Sequence, residues 1–177
     1  MGRVRRSSGV AVVIAVAETV ILRGPVADYL KIADRSWWVL GPVMRAHGAI
    51  YRATGGRLGR RLPGLPPMLL LDHVGARSGK KRTTPLVYMP DGDGFVVVAA
   101  KGGHPAHPAW LHNLRAHPDT TVQVGAKRIE VRAHEAEGEE RRRLWPRAVA
   151  HNPLWEGYQR RTERTVPVVV FRPRPKR

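Results

Sequence analysis

The chain contains no cysteine. That absence removes disulfides, thiolate zinc sites and iron–sulfur ligation, and it agrees with a cytosolic setting. Acids are scarce as well: 14 Asp and Glu face 31 Lys and Arg, leaving a formal net charge of +17. A protein so basic is drawn to anionic lipid or nucleic acid by long-range attraction. No helix-turn-helix, zinc finger or RNA-binding aromatic motif is present, so specific nucleic-acid recognition is not indicated. There is also no apolar run long enough to span a bilayer. Val10–Leu22 comes nearest, but Glu18 interrupts it and it falls short of the ~20 residues a spanning helix requires. Its basic start and Ala15-Val16-Ala17 triplet resemble a signal peptide in outline only. Internal repeats and low-complexity blocks are absent. What remains, 177 residues with 42% hydrophobic content, suffices for one domain of ordinary size with some extra terminal sequence.

The informative stretch runs from Gly75 to Pro118. Arg77, Lys80, Lys81 and Arg82 place four cations around Ser78 and Gly79, where backbone N–H groups can add to the attraction for phosphate or carboxylate. A P-loop would need G-x-x-x-x-G-K-[ST]. Here Gly75 and Gly79 enclose three residues, Lys81 stands where Ser or Thr should be, and the following Thr83–Met89 reads as a strand rather than a helix. The turn is therefore either an anion site of another kind or a solvated basic hairpin turn. Asp91-Gly92-Asp93-Gly94 is a hairpin signal that should return Phe95–Ala100 beside Thr83–Met89. That strand delivers Lys101, Gly102 and Gly103 to its end, where a lysine can reach an anion and the backbone can approach a ring. A short helix should follow between Pro108 and Pro118. Trp110 and Asn113 are three apart on it, so an aromatic plane and an amide either address one ligand together or serve as core and internal cap. His104, His107, His112 and His117 invite a metal. His107 and His112 are five apart, a poor spacing for one helix face, and no metal site is expected.

At these residues the sequence resembles a known family. The run G-A-R-S-G-K-K-R-T-T-P-L, then A-K-G-G-H-P-A-H-P-A-W-L-H-N-L-R-A-H-P, and the later Tyr158–Pro167 segment are similar to the deazaflavin-dependent nitroreductases of actinobacteria, in order and in spacing. The resemblance covers roughly Leu69 to the C-terminal strand, and Asp28 to Leu65 more weakly. It implies an α+β fold, a split β-barrel with flanking helices, that binds the reduced deazaflavin coenzyme F420. It also implies hydride transfer to an electron-poor small molecule: a quinone, a nitroaromatic or an activated alkene. Carried over by position, Arg77, Lys80 and Arg82 would meet the phosphate and glutamate tail, with Ser78 beside them. Pro85, Leu86, Ala99, Ala100, Lys101, Gly102, Gly103, Trp110 and Asn113 would line the ring or its linker.

The chain departs from the family pattern where the acceptor should sit. Ala100 stands in place of a serine, Asn152 and Trp155 stand where tyrosines are found, and Ala76 replaces a frequent arginine. Tyr158 is the retained phenol and is assigned as proton or hydrogen-bond donor, while Trp155 is expected to shape the acceptor pocket. These departures weigh against nitroimidazole-type acceptors and leave the cofactor side intact. Three other readings stay open: FMN or haem on the same fold, a non-catalytic binder of cofactor or lipid, and a basic module for membranes or nucleic acid.

The chain organisation is expected to be a basic and apolar extension over residues 1–24, a helical segment over 25–65 serving as lid or membrane-surface element, and a cofactor-binding barrel over 66–177. Paired tryptophans and basic residues from Ser36 to Arg52 suit an interfacial helix or one packed on the barrel. Strands are predicted near Met68–Val74, Thr83–Met89, Phe95–Ala100, Thr121–Val124, Lys127–His134 and Val166–Phe171, with a helix over Gly138–Trp145 stopped by Pro146. The protein is expected in the cytoplasm, peripherally at the inner membrane face, as a monomer.

Overall fold

Lys81–Val87 and Met89–Asp91 are neighbours in sequence, with only Tyr88 between them, yet they sit at opposite margins of one sheet. In this computed structural model, which describes residues 41–61 and 65–175, that separation defines the architecture. Helix α1 covers residues 41–53. It is followed by β1 (Met68–Val74), β2 (Lys81–Val87), β3 (Met89–Asp91), β4 (Gly94–Val98), a single 3-10 turn over Lys101–Gly103, and α2 (Ala109–Ala116). Then come β5 (Asp119–Val124), β6 (Lys127–Glu135), α3 (Gly138–His151), α4 (Leu154–Gln159) and β7 (Val168–Pro173). The sheet order is β2-β1-β5-β6-β7-β4-β3, antiparallel throughout. One bent stretch of chain forms both margins, so the sheet must curl until its ends approach. The result is an antiparallel split barrel with flanking helices.

The alternation of side chains sorts the core into layers. Leu69 and Leu71 of β1, Val122 of β5, Val131 and Ala133 of β6, Val169 and Phe171 of β7 and Val97 of β4 form one cluster, completed by Trp110, Leu111 and Leu114 of α2. Residues from five strands meet there, which marks it as the concave interior. The convex face is covered in two places. Val96, Val98, Val168 and Val170 pack with Leu144, Ala148 and Trp155 of α3 and α4, and Met68 and Leu70 pack with Tyr51 of α1. Val168–Phe171 can therefore be apolar at every position, being covered on both sides. Each such fully buried side chain contributes about 1.5–3 kcal/mol.

Several expectations are corrected. The strand from Phe95 returns beside only Met89–Asp91; β2 pairs instead with β1, from Met68↔Val87 to Val74↔Lys81. Tyr88 is the crossing point: its N–H still bonds the Pro67 carbonyl at 3.3 Å, in register with the β1–β2 ladder, whereas the next residue, Met89, already pairs with Val96 of β4. The helix over Gly138 does not stop at Pro146 but runs to His151. Proline removes one backbone bond and crowds the preceding turn. Leu144 and Ala148 anchor the helix on either side by burial, and Arg143 and Arg147 both close on Asp91, at 3.2 and 2.5 Å. A short helix, α4, occupies the segment that carries Trp155 and Tyr158. The expectations for Val10–Leu22, Trp37 and Trp38 lie outside the described residues. No helix among the described residues is long and apolar enough to cross a membrane.

Candidate functional site

The basic turn closes the β1–β2 hairpin. The Gly75 N–H donates to the Lys80 carbonyl at 2.9 Å and the Gly79 N–H donates to the Gly75 carbonyl at 2.8 Å. A Cβ at Gly75 would come within 2.5 Å of the Ser78 hydroxyl, which would have to turn out of the way. That hydroxyl is folded into the turn and accepts from the Lys80 N–H at 3.4 Å. Ser78 thus braces the turn from within, and fewer backbone N–H groups face outward than the bare sequence suggests. The side chains carry the attraction instead. Arg77, Lys80, Lys81 and Arg82 are exposed, and among the described residues none of them has a carboxylate within ion-pair distance. The contrast with the rest of the surface is plain, since Arg52 and Arg128 pair with Asp72, Arg115 with Glu135, and Arg132 with Asp119.

Asn113, expected to face a ligand, is buried and committed to the protein at both ends of its amide. Its Oδ1 accepts from the Ala76 N–H at 2.9 Å, and its NH2 group meets His73 Nδ1 at 2.8 Å. His73 Nε2 reaches the Thr84 hydroxyl at 3.0 Å. Burial, reinforced by the Arg82 charge, pushes the His73 imidazole below its ordinary value, so the ring is neutral near pH 7. Trp110 is buried in the barrel interior. Pro85 is buried on the margin strand β2, where a missing N–H costs no ladder bond; Leu86 packs against the interior cluster.

The second half of the site lies where β4 ends. Ala99 and Ala100 are buried, and Lys101, Gly102 and Gly103 all take left-handed backbone angles, with φ of 49°, 66° and 86°. Lys101 is the one non-glycine residue with positive φ among the described residues, a conformation that costs an L-residue about 1–2 kcal/mol. Gly103 is obligatory, because a Cβ there would meet the Tyr158 carbonyl at 2.8 Å and the Arg161 Cβ at 2.7 Å. The tight turn is thereby pressed against the end of α4, which brings Lys101–Gly103 and Tyr158 together. Trp155 is buried in the cluster that also contains Ala100 and Val98, with Tyr158 packed at its edge. Asn152 is buried at the α3 C-terminus, its Oδ1 accepting from the Leu154 N–H at 3.3 Å.

Arg164 is the residue that sequence reasoning passes over. Its guanidinium donates to the carbonyls of Ala99 (3.2 Å), Ala100 (2.8 Å) and His104 (2.9 Å), and meets His107 Nδ1 at 3.2 Å. It grips both flanks of the left-handed turn and ties them to the entrance of α2. In sequence it is one cation among several in Arg160–Arg164, and only the three waiting carbonyls distinguish it.

Helix α2 therefore couples the two halves. Its entrance is tied through His107 to the Lys101–Gly103 turn, and its middle is tied through Asn113 to the basic turn. Eight residues of helix span about 12 Å, so a rigid bar of that length fixes four cations relative to a strained, glycine-lined turn. A surface hollow of ≈ 140 Å³ lies elsewhere, lined by Leu111, Leu114, Arg115, Pro118 and Glu135 among others. It is small for a ligand pocket and its charged rim is already closed by the Arg115–Glu135 pair at 2.7 Å.

Comparison with known proteins adds to this geometry. The profile of a family described as F420H(2)-dependent quinone reductase matches residues 43–173. A protein of Mycobacterium tuberculosis (strain ATCC 25618 / H37Rv) named F420H(2)-dependent quinone reductase is 46% identical over 132 residues, covering 73% of this chain and 89% of the relative. Among solved structures, one described as an F420-H2 dependent reductase (FDR-A) is 41% identical with a TM-score of 0.56, covering 60% of this chain and 94% of its own. Another, described as a domain-swapped dimer, is 36% identical with a TM-score of 0.58, covering 76% and 97%.

Proposed function

The chain belongs to the F420H(2)-dependent quinone reductase family, and from that premise we propose that it catalyses two-electron reduction of a quinone at the expense of reduced coenzyme F420. When bound, the reduced deazaflavin supplies a hydride. The observation that carries the reading is the group of four cations on the β1–β2 turn, without carboxylate partners among the described residues and held at a fixed distance from the Lys101–Gly103 turn. A tail of phosphate and glutamates needs several cationic partners at once, and the donor set of this turn fits it.

Arg77, Lys80 and Arg82 would hold the anionic tail, with Ser78 maintaining the shape of the turn. Lys101, Gly102 and Gly103, approached through Ala99 and Ala100, would bear on the ring and its linker. Pro85 and Leu86 belong to the apolar wall of β2. Trp110 and Asn113 contribute from behind, as core and as anchor of the turn. On the acceptor side, Tyr158 at the end of α4 would place a phenol where a quinone oxygen gains charge, offering a hydrogen bond and then a proton. Trp155, being buried, would shape that wall rather than donate. Ala100 brings no hydroxyl, which favours quinones over acceptors that need a second hydrogen-bond donor.

Three large apolar side chains stand exposed among the described residues, Met44, Ile50 and Leu58, all on α1 or just after it. Arg45, Arg52, Arg57 and Arg60 are interleaved with them. This composition supports peripheral contact with an anionic leaflet, where lipid-soluble quinones reside.

The test is a fluorescence titration with F420, with FMN as control, followed by a quinone-reduction assay. Tight F420 binding, weakened in a Lys80→Gln, Arg82→Gln variant, together with quinone turnover, is the expected outcome. Equal binding of FMN, or binding of neither, overturns the assignment. Cosedimentation with anionic but not neutral vesicles, lost in Ile50→Glu, Leu58→Glu, tests the membrane contact.

A further inference from the structure

The chain of contacts Thr84–His73–Asn113–Ala76 crosses from β2 through β1 to α2 and ends inside the basic turn. The direction of each bond can be worked out. The Ala76 N–H can only donate, so the Asn113 atom facing it at 2.9 Å is the acceptor oxygen. The other end of the amide is then a donor, and it faces His73 Nδ1 at 2.8 Å, so that nitrogen carries a lone pair. The ring proton therefore sits on Nε2, pointing to the Thr84 hydroxyl at 3.0 Å. An asparagine amide is nearly symmetric in shape, and nothing in its own structure decides which end faces the turn. The Ala76 N–H decides it, and the imidazole, with its Nδ1 lone pair toward the amide, holds that choice.

We propose that His73 is a positioning residue for the basic turn: its Nδ1 lone pair holds the Asn113 amide in the orientation that the Ala76 N–H requires, and so maintains the shape from which Arg77, Lys80 and Arg82 meet an anion. The inference rests on the reading of that turn as the site for the cofactor's tail, but its structural claim is independent of any ligand. His73 is 6% exposed and does not reach the surface where the tail would lie. The charged groups acting on it are Arg82 from β2, which disfavours a proton, and Asp72 beside it on β1, which favours one. Protonation would place an N–H on Nδ1 against the Asn113 NH2. The amide would have to rotate, and its donor end would then oppose the Ala76 N–H.

Three measurements test this. In the wild-type protein, nitrogen NMR of labelled histidine should show His73 with Nδ1 bare and Nε2 protonated at neutral pH; a proton on Nδ1 overturns the proposal without any variant being made. Amide exchange at Ala76 should be slow in the wild type and about tenfold or more faster in both Asn113→Ala and His73→Phe. Unchanged exchange at Ala76 in folded variants overturns it. In Asn113→Asp, a carboxylate accepts from Ala76 and from a protonated His73 alike, so protection should persist as the pH falls, while wild-type protection declines only once the pH is below the ordinary histidine range, where burial and Arg82 have moved the His73 proton. A parallel loss in both proteins overturns the role of Nδ1. F420 titration then separates the two claims: failure of the wild type to bind F420 sinks the cofactor reading, whereas exchange at Ala76 decides the positioning claim in either case.

Discussion

Arg164 donates to the carbonyl of Ala100 at 2.8 Å, and through that bond the segment after α4 controls how β4 leaves the sheet. The same guanidinium serves the carbonyls of Ala99 and His104, so three acceptors around a strained turn depend on one side chain. Replacing it strands them together. Arg164→Lys offers a point charge without the planar fork, and we expect a loss of about 2–3 kcal/mol in denaturant unfolding together with at least a tenfold loss of F420 affinity. A variant with wild-type stability and affinity would show the grip to be dispensable.

The strain at Lys101 should be measurable on its own. Lys101→Ala retains a Cβ at φ 49°, whereas Lys101→Gly does not. Both lose the side chain, so whatever the ammonium contributes cancels between them. The glycine variant should be the more stable by about 1 kcal/mol, read as the difference in unfolding midpoint, while both bind F420 more weakly than wild type. Equal stability of the two variants would mean the turn is relaxed.

The basic turn is predicted to be a functional surface with no structural cost. Lys80→Gln with Arg82→Gln removes two cations that have no carboxylate partner among the described residues, from a chain carrying +17 overall. Melting temperature should hold or rise slightly, because self-repulsion falls. F420 affinity should drop roughly a hundredfold at low ionic strength and lose much of its salt dependence. Destabilisation of the fold would instead point to an unrecognised structural role.

Asp91 is the counterpart, a carboxylate whose role is structural. Arg143, Arg147 and Arg172 converge on it at 3.2, 2.5 and 2.8 Å, and the Arg143 hydrogen bond leads in holding its pKa well below the usual carboxylate range, against the opposing effect of burial. A carboxylate depressed in the folded state contributes stability that is present above its ordinary value and is lost as pH falls from there through the folded value. Acid unfolding should therefore steepen below about pH 4. Asp91→Asn should cost about 2–3 kcal/mol at neutral pH, discounted for the half-exposed arginines, and should remove that acid dependence. An unaltered acid profile in the variant would assign the steepening to other groups.

Much of this was legible in the residues. Four cations within six positions mark an exposed basic turn, which the structure places between β1 and β2, Asp91-Gly92-Asp93-Gly94 does close a hairpin, and Pro108 and Pro118 do bracket a helix. What stayed hidden depends on contacts distant in sequence. Thr83–Met89 reads as one strand because its β propensity is continuous; only closure of the barrel bends it at Tyr88. Pro146 is a sound local stop signal, overridden by buried neighbours on both sides and by Asp91. Asn113 and Trp110 share a helix face as their spacing requires, but that face meets the protein's own turn and interior. No local pattern tells the one arginine that binds three carbonyls from those that face water.

The bend at Tyr88 has a mechanical meaning. A strand that forms both margins acts as a hoop, so loosening at one seam is passed along the chain to the other and neither margin can peel away alone. Cleaving the backbone at that single residue would leave every hairpin turn intact, yet it would free both seams at once.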